Sequence, residues 1–127
     1  MKVLVVDDEQ DVALLFQQRF RKEIRSGYVK FEFAFSGEEA MQYIGDVKST
    51  DLILILSDIN MPGMSGLDLL TNIRNTRPDL KVFMITAYGD AEKREQALEL
   101  GATDFLTKPI DFQALKERIR AVVPANE

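Results

Sequence analysis

Residues 52–56 read Leu-Ile-Leu-Ile-Leu, apolar at every position. The run is far short of the ~20 residues a membrane span needs, and it lacks the polar alternation of a strand with one wet face. Such a segment fits a central parallel strand covered on both faces. Parallel neighbours need crossover connections, so helices must separate the strands of this chain.

The rest of the sequence alternates accordingly. Lys2 to Val6 is β-branched and apolar, and Glu9 to Arg25 then carries Val12, Leu15, Phe16, Phe20 and Ile24 at helical spacing. After Gly27, the run from Tyr28 to Phe33 alternates in the manner of a sheet edge with one wetter face. Ser36 and Glu39 have capping-box spacing and open a helix predicted to reach about Val47. The loop Met61-Pro62-Gly63-Met64-Ser65-Gly66 follows the 52–56 strand, and Ser65 with Asp68 starts a helix that stops before Pro78. A strand over Lys81 to Ile85, a helix from about Asp90 to Leu100 closed by Gly101, and a strand over Thr103 to Leu106 come next. Asp111 caps a last helix whose apolar face is Leu115, Ile119 and Val122 or Val123. Five strand-helix units with right-handed crossovers make a doubly wound α/β sheet with helices on both faces; a closed barrel needs eight.

At 127 residues, 46% hydrophobic and 29% charged, the chain has the size and composition of one ordinary globular domain. No linker interrupts it; residues 1–123 read as the domain and 124–127 as a tail or the start of a linker. The apolar run Val3 to Val6 is too short for a signal-peptide core, so a cytoplasmic location is expected, with no membrane association. Histidine and cysteine are both absent, which removes the usual zinc ligand sets, thiol nucleophiles, disulfides and imidazole bases. Carboxylate, hydroxyl and ammonium remain, a donor set suited to hard cations such as Mg²⁺. A net charge of −5 disfavours non-specific nucleic-acid binding. The basic cluster Arg19, Arg21, Lys22 and Arg25 is the local exception and reads as a solvated helix face.

The chemistry-bearing residues stand at strand ends. Asp7 and Asp8 follow the first strand, Asp58 follows the third, Thr86 the fourth and Lys108 the fifth. In open parallel sheets, ligands bind outside the carboxyl ends of the strands, at the switch point of strand order. Paired acidic residues after a strand also serve as helix caps, and so does a terminal threonine. Asp58 is different, because an unpartnered carboxylate at the end of the most buried strand costs several kcal/mol. If Asp7, Asp8 and Asp58 share a pocket, each pair ~5 Å apart repels by roughly 3 kcal/mol at an effective dielectric of ~20. A divalent cation relieves that repulsion, with the Asn60 backbone as a plausible carbonyl donor. The Lys108 ammonium can pair with Asp58 at rest and with phosphoryl oxygens later.

Four segments carry a resemblance: Val5-Val6-Asp7-Asp8-Glu9, Asp58-Ile59-Asn60-Met61-Pro62-Gly63-Met64-Ser65-Gly66, Thr86-Ala87 and Lys108-Pro109. In this order and spacing they resemble the receiver domain of two-component response regulators, of the chemotaxis-regulator type, over nearly the whole chain. The resemblance implies a flavodoxin-like sheet of order 2-1-3-4-5. It implies Asp58 as phosphoacceptor, Asp8 as a direct Mg²⁺ ligand, Asp7 as a ligand through water and Asn60 as a backbone ligand, with Mn²⁺ able to substitute. Thr86 and Lys108 are then the hydroxyl and ammonium that contact the phosphoryl group, and Lys108-Pro109 the family's cis peptide. Asn60 and Tyr88 occupy positions that tune hydrolysis, and Tyr88 is expected to shield the acyl phosphate.

The implied donor is the phosphohistidine of a histidine kinase or histidine phosphotransfer protein, since this chain has no histidine of its own. Self-catalysed hydrolysis would reset the switch. Switching is expected at Thr86 and at Phe105, which otherwise reads as plain core. The fourth helix, fifth strand and fifth helix form the implied output face toward an effector protein or domain. There Arg94, Asp104 and Arg118 offer ion pairs for a homodimer. Three alternatives share features of the pattern. A haloacid-dehalogenase-type phosphohydrolase places its nucleophile after the first strand and is disfavoured by Asn60; a flavin carrier is disfavoured by the acidic crevice. A degenerate receiver acting by protein contact alone is the third.

Overall fold

The computed structural model describes residues 1–46, 51–87 and 90–123. Five strands form one sheet: β1 (Lys2–Val6), β2 (Lys30–Ala34), β3 (Leu52–Asp58), β4 (Lys81–Thr86) and β5 (Asp104–Thr107). All pairings are parallel and the order is β2-β1-β3-β4-β5, the doubly wound arrangement expected. Between them run α1 (Asp11–Arg19), α2 (Arg21–Arg25), α3 (Gly37–Gly45), α4 (Gly66–Thr76), α5 (Ala91–Glu99) and α6 (Phe112–Val122).

Each sheet face has its own core. Leu4, Val6, Ile55, Val82 and Met84 pack with Ala40, Ile44, Leu69, Leu70, Ile73 and Ala97 of α3, α4 and α5. Val3, Val5, Leu54, Leu56, Phe83 and Ile85 pack on the other face with Phe16, Phe20, Leu115 and Ile119. The central position of β3 accounts for its unbroken apolar run. The register of β3 against β1 shifts between Lys2 and Val3, so that Lys2 opposes Leu52 while Val3 opposes Leu54. Ile53 and Leu54 consequently face the same core, a bulge that an all-apolar sequence cannot signal.

The single helix expected over 9–25 is two segments. Phe20 leaves helical geometry at φ −107° and ψ 23°. Hydrogen bonding nevertheless runs on, from Phe20 N–H to the Phe16 carbonyl and from Ile24 N–H to the Phe20 carbonyl. Packing sets this conformation: the Phe20 ring stacks on Phe16 and meets Phe31 and Phe112 edge-on at 4.9 and 6.1 Å. Ring contacts of this kind outweigh the few tenths of a kcal/mol of helix propensity at one residue.

The caps hold where sequence placed them. Ser36, Ser65 and Asp111 accept from the N–H of Glu39, Asp68 and Ala114 through their side chains. The end of the second predicted helix, Val47, lies outside the described residues, as do Tyr88 and residues 124–127. No helix among the described residues is long and apolar enough to cross a membrane.

Candidate functional site

The site is assembled at the carboxyl edge by adjacent strands. β1 hands the chain to Asp7, whose N–H donates to the Ala34 carbonyl at 3.1 Å and whose Oδ1 accepts the Glu9 N–H at 2.9 Å. Asp58 is the last residue of β3 and stands opposite Ile85. One carboxylate oxygen from each of Asp7, Asp8 and Asp58 lies within 4.8 Å of the others. Asp7 and Asp58 are buried, whereas Asp8 is exposed.

Close approach of the loop after β3 builds the floor. Gly66 donates its N–H to the Ile59 carbonyl at 2.8 Å, and a Cβ at this position would fall 2.1 Å from the Asp58 carbonyl oxygen. Only glycine fits there. Asn60 N–H reaches Asp58 Oδ1 at 3.4 Å, a weak contact. The Asn60 side chain instead accepts a hydrogen bond from Lys93 Nζ of α5.

Lys108 enters from beyond β5. Its N–H donates to the Thr86 carbonyl at 2.7 Å, and the Lys108–Pro109 peptide is cis. Nζ lies 3.2 Å from Asp58 Oδ2, 3.5 Å from Asp7 Oδ2 and 3.9 Å from Glu9 Oε1. Thr86 ends β4 one residue past the partner of Asp58, and its buried hydroxyl has no hydrogen-bond partner among the described residues. A buried hydroxyl left unpaired costs about 1–3 kcal/mol.

Electrostatics distinguish the members. Burial pushes the Asp58 carboxyl above the usual aspartate range; the Asp7 charge adds to the rise and the Lys108 ammonium opposes it without cancelling it. Burial pulls Lys108 down, but the charges of Asp58 and Asp7 outweigh that and leave it raised. The protonated lysine therefore offsets part of a carboxylate repulsion that the protein itself does not remove.

Structure thus brings together Asp7, Asp8, Asp58, Asn60 and Lys108, with Thr86 on the adjacent strand end. Phe105 lies on β5 opposite Met84 of β4. It is half-buried on β5 beneath the guanidinium of Arg94, 4.9 Å from the ring centre. Asp104 pairs with Arg118 of the same chain at 2.8 Å. Lys93 escaped the sequence reading because an exposed lysine in a charged helix carries no motif; only proximity to Asn60 singles it out.

Comparison with known proteins decides the family: residues 3–120 match the model of the response regulator receiver domain. The chain belongs to that family. The receiver is 30% identical over 123 residues to sporulation initiation phosphotransferase F of Bacillus subtilis, covering 97% of this chain and 94% of that protein. It is 39% identical to response regulator protein PilR of Pseudomonas aeruginosa, over 93% of this chain but 25% of that protein. A receiver domain structure from Clostridium thermocellum superposes with a TM-score of 0.84 at 26% identity, covering 94% of this chain and 91% of that one. Phosphoryl acceptance within two-component signalling is the function of this family, and its members work with histidine kinases and downstream effectors.

Proposed function

We propose that Asp58 is the phosphoacceptor of this receiver. The observation that carries the reading is the placement of its buried carboxylate 3.2 Å from Lys108 within a cluster of three acidic side chains. In the transfer, one Asp58 Oδ attacks the phosphorus of a partner's phosphohistidine in line. The P–N bond breaks, its electron pair leaves with the imidazole nitrogen, and an acyl phosphate forms.

Phosphoryl transfer depends chiefly on positioning and charge. The three carboxylates fit a divalent cation by donor type and mutual distance; Asp8, Asp58 and the Asn60 carbonyl would hold it directly, and Asp7 through water. Mg²⁺ bound there, or Mn²⁺ in its place, supplies positive charge to the phosphoryl oxygens. Lys108, resting against Asp58 and Asp7, supplies a second cation and would pass from the Asp58 carboxylate to a phosphoryl oxygen as the acyl phosphate forms. Thr86 offers its unpaired hydroxyl to a phosphoryl oxygen, which ends its unsatisfied burial. Its movement toward that oxygen leaves room that Phe105 fills by packing, without the hydroxyl a tyrosine would bring. In-line water then hydrolyses the acyl phosphate and restores the resting pair, with Asn60 and Tyr88 setting the rate.

The partner that phosphorylates the chain is a histidine kinase or histidine phosphotransfer protein. Output passes through α5, β5 and α6 to an effector protein or domain, at a cytoplasmic location and without direct contact to nucleic acid. A homodimer through this face would have to re-pair Asp104, which Arg118 of the same chain already engages. Residues 1–123 constitute the receiver, and 124–127 a tail or linker.

Incubation with Mg²⁺ and acetyl phosphate tests the reading by intact mass. One added phosphoryl group, absent in chelator and absent in Asp58→Ala, is expected. An adduct that survives either condition would reject Asp58 or the cation requirement. Absence of an adduct under all conditions would favour a receiver that signals by contact alone.

A further inference from the structure

The outer edge of β2 is built differently from the rest of the surface. β2 ends the sheet, so one side of its backbone has no strand partner among the described residues. Lys30 N–H donates inward to the Met1 carbonyl and the Ala34 carbonyl accepts inward from Asp7. By alternation, the backbone N–H and C=O groups of Phe31 and Phe33 point outward. At the opposite edge of the sheet, Arg118 covers β5 by donating to the Phe105 carbonyl.

Beside this free edge lies a groove of about 760 Å³ between β2 and the α1–α2 segment, lined by Gln17, Arg21, Ile24, Arg25, Lys30, Phe31 and Phe33 among others. Its floor is aromatic and held in place: Phe31 packs against Phe16, Phe20 and Phe33 at ring distances of 5.5, 4.9 and 6.1 Å. Its rim is cationic. Arg21 and Arg25 have no carboxylate within ion-pair distance among the described residues, while Lys30 makes a loose 3.9 Å contact with Glu32 and also feels the charge of Asp51. Two arginines without an ion-pair partner among the described residues, beside apolar ground, stand out on a chain of net charge −5.

We propose that this groove docks an acidic, extended segment of a partner protein, added to the sheet as a strand beside β2. Backbone groups of Phe31 and Phe33 pair with the added strand. Alternate apolar side chains of that strand lie over Phe31, Phe33 and Ile24, and its carboxylates meet Arg21, Arg25 and Lys30. A concave floor and directed backbone donors favour a peptide over a lipid surface or a nucleic acid, which would need a broad cationic face. None of the residues lining the groove belongs to the Asp7, Asp8 and Asp58 cluster, so the proposal stands independently of the phosphoacceptor reading.

The test uses a fluorescein-labelled octapeptide alternating glutamate or aspartate with valine or phenylalanine, titrated by anisotropy against the whole chain. A scrambled peptide of equal charge, anionic vesicles and a DNA duplex serve as comparisons. Binding that slows amide exchange at Phe31 and Phe33, and that weakens about tenfold or more in R21E/R25E, is expected. Because both arginines are exposed, the double variant should fold, and its circular dichroism verifies this. Equal binding of the scrambled peptide, binding without protection of the edge, or preference for vesicles or DNA would overturn the proposal, as would no binding at about 1 mM peptide.

Discussion

At Asp58, the cost of holding a carboxylate in the fold and its use as a nucleophile have one origin. Burial raises its proton affinity, so the folded state binds a proton that the unfolded state has already lost. With chelator present, stability should therefore fall as pH climbs through the Asp58 titration. Asp58→Asn should remove that slope and stabilise the metal-free chain by about 1 kcal/mol at neutral pH, read by urea unfolding; Lys108 keeps Asp7 as a partner. A second expectation concerns Lys93, which holds the Asn60 side chain. Lys93→Ala should free Asn60 and change the dephosphorylation rate severalfold while leaving stability within ~0.5 kcal/mol, measured by decay of the phosphorylated mass. At this scale the sequence exposed Asp7, Asp8, Asp58 and Lys108, because strand ends converge in a parallel sheet. It did not expose Lys93, whose role depends on the approach of α5 to the loop after β3.

At the scale of elements, the turn from β3 into α4 is the joint that fixes the site. α4 begins against the backbone of Asp58 and Ile59, and Gly66 is the residue that permits this. Gly66→Ala should cost about 3 kcal/mol from overpacking and shift the urea midpoint at unchanged slope; a neutral result would mean that the loop yields easily. Strand and cap positions were legible because Ser36, Ser65 and Asp111 pair chemistry with spacing. The interruption at Phe20 and the bulge at Ile53 were not, since both arise from how rings and strands pack across the sheet.

At the scale of the molecule, charge couples folding to the ligand. Three carboxylates within 4.8 Å and one lysine leave net negative charge in a partly buried crevice. Mg²⁺ at 100 times its dissociation constant should add about 2.7 kcal/mol, roughly 10 °C in melting temperature for a domain of this size. Asp8→Ala should abolish most of that gain. The strand order was legible from the family resemblance and is the order found, whereas the pairing of Asp104 within its own chain follows from tertiary geometry alone.

Reduction of the phosphorylated chain with borohydride, followed by peptide mass mapping, addresses the phosphoacceptor most directly, because it converts an acyl phosphate into the corresponding alcohol at the residue that carried it. Homoserine at position 58, with Asp7 and Asp8 unchanged, is expected. Homoserine at either of those two positions, or retention of all three aspartates in a chain that has gained a phosphoryl group, would contradict the assignment.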